Sequence, residues 1–170
     1  MQNFSFSLEA LAICSPATGC VSDSRQALEW SDNTDTDGWK PDTSFIPKRK
    51  FRRLSRLSKM ALYAAHHATL ESESVHKLGA AIFCSRFGEF KHTESVLDAI
   101  HSKDLVSPMD FSYSVHNTAH GLFSILRGDN TPATAIAARH DGLENALLKD
   151  YAHFTGGDEA VLIVYHEDTL

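Results

Sequence analysis

The segment Ala135-Ile136-Ala137-Ala138-Arg139-His140-Asp141 reads as an apolar strand, a tight turn and the first residues of a helix. Such a turn presents one side chain at a helix N-terminus. Backbone N–H groups and the positive end of the helix dipole there favour a nucleophile or a developing oxyanion. Neither serine nor cysteine stands at this turn, which holds Arg139, His140 and Asp141. The helix dipole disfavours a cation at that place; with Asp141 beside His140, base chemistry is open to it. His116 and His120 are four residues apart. On a helix they would share a face and reach one zinc ion, with His140 or Asp141 as a third ligand. No H-E-x-x-H or C-x-x-C pattern accompanies them, and hydrogen-bonded or surface histidines are the plainer reading, so no metal is expected. Cys84 stands at a strand end before a turn, a place where nucleophiles occur, although a small buried cysteine is the more frequent case. The acidic stretch 32–37 lacks the spacing of a calcium-binding hand. No G-x-S-x-G, Walker or Rossmann glycine pattern is present.

The elements that must position these residues follow from periodicity. Phe4, Phe6, Leu8, Leu11 and Ile13 suggest a partly alternating strand over 4–13. Ser, Thr, Asp, Gly and Pro dominate 16–47, with a short helix possible over 25–30; this is expected to be a long surface excursion from one domain spanning 1–170. Helical spacing of Leu54, Leu57, Ala61, Ala64, Ala65 and Ala68 predicts a helix over 48–70. Its first half concentrates Lys48, Arg49, Lys50, Arg52, Arg53, Arg56 and Lys59, either as a solvated face or as a docking patch for an acidic partner. Residues 78–84, 132–138 and 160–165 are short apolar runs suited to strands buried on both faces. Between them lie predicted helices over 89–101 (Phe90, Val96, Leu97 and Ile100 inward), 111–126 (less regular) and 141–154 (Leu143, Ala146, Leu147 and Tyr151 in register). Gly128 and the pair Gly156-Gly157 supply stop signals. Strands alternating with helices predict an α/β layered fold. The last strands read as central, and the sequence ends five residues after Tyr165, so another element or molecule is expected to complete the sheet.

Composition narrows the classes. The 170 residues are 42% hydrophobic and 22% charged, within the range of a globular domain. The net charge of −6 argues against nucleic acid as the main partner. No apolar run reaches the length of a membrane helix, and the N-terminus has no signal-peptide pattern. Three sparse cysteines, Cys14, Cys20 and Cys84, do not suggest a disulfide framework. A cytoplasmic location is therefore expected.

One run of motifs resembles a known family. Val106-Ser107-Pro108-Met109-Asp110-Phe111-Ser112-Tyr113-Ser114-Val115-His116-Asn117, followed by Gly121 and Ile125, is similar to the N-terminal half of β-ketoacyl synthases. Gly128, Pro132 and Ile136 continue the family's G-P-x-x-x-I-x-x-A-C pattern, with Thr131 in place of the glycine before the proline. The stretch 51–62 is similar to the helix that precedes the family's glycine-containing strand turn. Along that pattern the nucleophilic cysteine falls on His140. The two histidines and the lysine of the family's second half have no counterpart here.

The resemblance implies a truncated thiolase-like fold, the ketosynthase N-terminal half, with a central mixed sheet and helices. It implies a subunit that is no enzyme by itself and has no cofactor. It would act as a chain-length factor beside a full-length ketosynthase, in a heterodimer or a dimer of heterodimers. The setting would be a type II polyketide system, with aryl polyene biosynthesis as the nearest likeness. Ala133, Thr134, Ala135, Ile136 and Ala137, with Asn117, would form the partner interface. Phe90, Thr93 and Leu97 would limit the acyl tunnel. Arg49, Arg52, Arg53 and Arg56 would meet an acyl carrier protein. Two alternatives remain at this stage: a small malonyl-decarboxylating enzyme with His140 as base, and a metal module built on His116 and His120.

Overall fold

The computed structural model describes residues 5–22, 38–47 and 54–168. The short helix considered over 25–30, and the basic residues from Lys48 to Arg53, lie outside the described residues. The core is a parallel sheet of three strands, β3 (Leu78–Ser85), β4 (Ala133–Ala137) and β5 (Ala160–Tyr165), in the order β4-β3-β5. A separate antiparallel hairpin pairs β1 (Ile13–Ser15) with β2 (Gly19–Val21). The helices are α1 (Arg56–Glu71), α2 (Phe90–His101), α3 (Pro108–Tyr113), α4 (Thr118–Arg127) and α5 (Gly142–Thr155). The expected α/β layered fold is present. The sheet itself is wholly parallel, and its two crossovers are made through α2–α4 and through α5, as parallel neighbours require.

β3 explains the layering. It is the middle strand, and Ala80 to Cys84 are all essentially inaccessible. Ala81 and Phe83 face Ala61, Leu62 and Ala65 of α1 and Ala119, Leu122 and Phe123 of α4. Ile82 and Cys84 face Ala146 of α5. Two sides of one strand are thus covered by different helices, so its sequence is apolar throughout instead of alternating.

Local signals set the helix ends. Ser55 caps α1, its Oγ accepting from the Ser58 N–H at 2.8 Å. The helix therefore starts at Arg56, not at 48. Ser107 caps α3 in the same way, with Pro108 at the first helical position. The predicted stretch 111–126 is two helices, broken at 114–117. Gly128, at φ 70°, closes α4, and Gly157, at φ 103°, follows the end of α5.

Four expectations are corrected. Residues 5–12 form no strand, and Leu8 is 71% exposed. β4 is a half-buried edge strand and β5 is the opposite edge, so neither is central. The inward face of α5 is Gly142-Ala146-Asp150, while Leu143, Leu147 and Tyr151 are exposed. Small residues let that helix lie close on the sheet, which turns its leucines outward. Finally, Cys14 and Cys20 are not free. The hairpin register places them directly opposite, with Cα atoms 4.1 Å apart, and they form a disulfide. No described helix is long and apolar enough to cross a membrane.

Candidate functional site

In an open parallel sheet, function concentrates beyond the C-terminal strand ends. β4 ends at Ala137, and the chain bends through Arg139 and His140, both exposed, before α5 begins. Asp141 occupies the N-cap position without a side-chain capping bond. The strand–turn–helix read from the sequence is therefore real, and His140 stands on it facing solvent.

Beneath the turn the packing is tight. A Cβ on Gly142 would lie 3.0 Å from Cys84 Sγ and 3.0 Å from the Tyr165 ring. The Cys84 thiol donates to the Gly142 carbonyl at 3.2 Å. Burial, helped by the charge of Glu167, pushes that thiol's pKa up. Cys84 is thus fully buried, packed under the helix start. Gly142 is the residue in the sequence that marks this close approach.

Two histidines gather beside it. The His166 backbone N–H donates to the Cys84 carbonyl at 3.0 Å, and its ring packs edge-on to Phe83. Burial pushes the His166 imidazole down to about 4. His116 Nε2–H donates to the Ile136 carbonyl at 3.1 Å. His116 lies in the turn before α4, so it and His120 do not share a helix face. No group of three or more potential ligands occurs among the described residues. The metal alternative loses its geometric basis.

The residues proposed for an acyl tunnel lie on α2, which buries no side chain completely. Leu97 and Ile100 are 57% and 59% exposed, and Phe90 and Phe87 are partly exposed and in edge contact. The inward face expected for Phe90, Leu97 and Ile100 is therefore an outward face. Thr93 is tied inward, its Oγ1 donating to Glu89 O at 3.3 Å and Ser114 O at 3.5 Å. Phe111 of α3 and Val115 after it are exposed as well. Ala133 to Ala137 form the β4 edge of the sheet, and Asn117 is exposed at the start of α4. Of the four arginines proposed for docking, Arg49, Arg52 and Arg53 lie outside the described residues. Arg56 Nε donates to Asp168 at 3.0 and 3.1 Å, so its charge is matched within the chain.

Comparison with known proteins gives this geometry a family. The model of the β-ketoacyl synthase N-terminal domain matches residues 27–170. No curated protein matches significantly. Among solved structures, the chain is similar to one of a ketosynthase (ApeO) in complex with its chain length factor (ApeC) from Xenorhabdus doucetiae. The TM-score is 0.71 at 23% identity, over 94% of this chain and 65% of that one. A β-ketoacyl synthase from Burkholderia phymatum STM815 is similar with a TM-score of 0.57 at 17% identity, over 72% of this chain and 32% of that one. The chain therefore spans about two thirds of the first of these and about one third of the second. With a turn of the expected architecture and a family match over most of its length, the chain belongs to the β-ketoacyl synthase N-terminal domain family.

Proposed function

We propose that this chain is a non-catalytic, chain-length-factor-like subunit that pairs with a full-length ketosynthase and shapes its acyl tunnel. The observation that carries the reading is the β4 edge of the sheet, which among the described residues pairs with β3 alone, in a chain whose α2 and α3 also expose apolar side chains. An unpaired strand edge, in a chain that also exposes Phe87, Phe90, Leu97, Ile100 and Phe111, is a surface that a protein partner covers. The turn supports it from the chemical side. His140 occupies the place that the family pattern gives to the cysteine, and the thiol of Cys84 is sealed below. The coverages lend further support. The matched chain of the Xenorhabdus complex is much shorter than the Burkholderia synthase, since 94% of this chain fills 65% of the former while 72% fills only 32% of the latter.

In this reading β4 pairs with its counterpart across the interface through Ala133 to Ala137. Phe90, Thr93 and Leu97 close the end of the partner's acyl tunnel. The elongation system is of the type II polyketide kind, with aryl polyene biosynthesis the proposed setting. An acyl carrier protein docks on the basic residues Arg49, Arg52 and Arg53, next to Arg56, whose charge already meets Asp168, and the complex works in the cytoplasm.

Co-expression with a full-length ketosynthase from the same gene neighbourhood tests it. The expected result is a stable complex that condenses malonyl and acyl carrier substrates, together with a lone chain that does not. Condensing activity in the lone chain, or a ketosynthase that never co-purifies, would falsify the proposal.

A further inference from the structure

Segments far apart in sequence meet at the His116 imidazole. Its Nε2–H donates to the Ile136 carbonyl at 3.1 Å, gripping the C-terminal end of β4. Its Nδ1 lies against Gly88, where a Cβ would come within 2.6 Å, so only glycine fits in the β3–α2 turn. Gly88 is itself tied to β3, its N–H donating to Ser85 Oγ at 2.9 Å, and its carbonyl accepts from the Phe90 N–H at the start of α2. On the third side His116 acts electrostatically on the buried His166 after β5.

This junction matters because α2 and α3 bury no side chain completely. The start of α2 is tied to α1, where the buried Glu89 accepts from Ser55 Oγ at 2.9 Å and from Ser58 Oγ, and Tyr113 of α3 packs against the core. Three further polar links are His92 Nδ1 with Asp110 Oδ1 at 2.9 Å, Thr93 with the Ser114 carbonyl, and the His116 junction. The first two links join α2 to α3 and to the residue after it. Of the three, the His116 bond is the one made to the sheet.

We propose that His116 is the positioning residue of the partner-facing surface, holding the apolar face of α2–α3 in fixed relation to the open edge of β4. The partner's identity rests on the function proposed above, and the positioning role does not.

Amide hydrogen exchange on the full chain tests the role directly, with His116→Ala and His116→Gln. Glutamine keeps an N–H donor at about the Nε2 position. In His116→Ala, loss of one buried bond is expected to speed exchange about tenfold in 90–113 and 133–137, leaving β3 and β5 unchanged. His116→Gln restores protection. Unchanged exchange in the alanine variant, equal acceleration in β3 and β5, or no rescue by glutamine would each overturn the proposal. Affinity for the co-purified ketosynthase forms the second arm, with a loss of about tenfold expected for alanine and recovery for glutamine. If the exchange pattern appears but no variant, wild type included, binds a ketosynthase, the positioning role stands and the proposed function falls.

Discussion

Two side chains near the turn make predictions with a definite sign. His166 is buried neutral, with a folded pKa of about 4 against 6.5 when unfolded. Between those values the unfolded chain binds more protons, so the stabilisation is complete above pH 6.5 and is lost as pH falls toward 4. From pH 7 to pH 5 the loss is roughly 2 kcal/mol. His66 and His120, also lowered by burial, act in the same direction, while buried Asp150, raised by burial, opposes them at the acid end. Urea midpoints at the two pH values should show the fall, and His166→Leu should reduce it; an unchanged slope in that variant would refute the assignment. The turn itself is read by thiol chemistry. His140→Cys places an exposed thiol at a helix N-terminus, which lowers thiol pKa and speeds alkylation. Native His140→Cys should take up iodoacetamide quickly at pH 7, while Cys84, buried and raised, stays silent. Equal labelling of wild type would mean that Cys84 is open.

At the scale of elements, what was legible depended on where the information lay. β3, α2, α5 and β5 were readable because each is a local run with its own period or stop signal. The facing of the helices was not. Leu143, Leu147 and Tyr151 share helical spacing with Ala146, and periodicity alone favours the leucines as the buried stripe. Close approach to the sheet at Gly142 decides otherwise, and that is a contact across the fold. The same holds for α2, whose apolar residues Phe90, Leu97 and Ile100 recur at helical spacing but turn outward. The Cys14–Cys20 pair depended on a hairpin register that six residues of sequence separation do not reveal. The turn at His140 was legible because strand, turn and helix start follow each other in the chain. An exposed apolar face predicts its own variant behaviour. Leu97→Glu removes no buried contact, so the melting temperature of the isolated chain should change by less than about 2 °C. Binding to a ketosynthase should weaken, because a charge buried without a partner is costly. Loss of fold in this variant would contradict the outward placement of α2.

For the whole molecule, the proposed pairing is tested at the sheet. Its outer strand β4 has a direction of bonding that can be worked out residue by residue. The Ala81 N–H donates to the Pro132 carbonyl, and Phe83 sits opposite Ala135. In a parallel ladder, residues of one strand alternate between bonding the neighbour and pointing away from it. Pro132, Thr134 and Ile136 therefore face β3, and the N–H groups of Ala133, Ala135 and Ala137 face outward. Ala135→Pro deletes one outward donor and leaves the ladder to β3 intact, since proline is tolerated where the strand N–H faces away from the sheet. The variant should fold with a circular-dichroism spectrum and melting temperature close to wild type. It should fail to form the complex with a ketosynthase, because strand pairing across the interface requires that donor and collides with the ring. It should also reduce concentration-dependent self-association of the lone chain in sedimentation velocity, if the bare edge is what drives it. A variant that assembles as readily as wild type would show that β4 is not the seam. The α2–α3 surface would then have to carry the contact alone, a distinction that Leu97→Glu in the same assay makes visible.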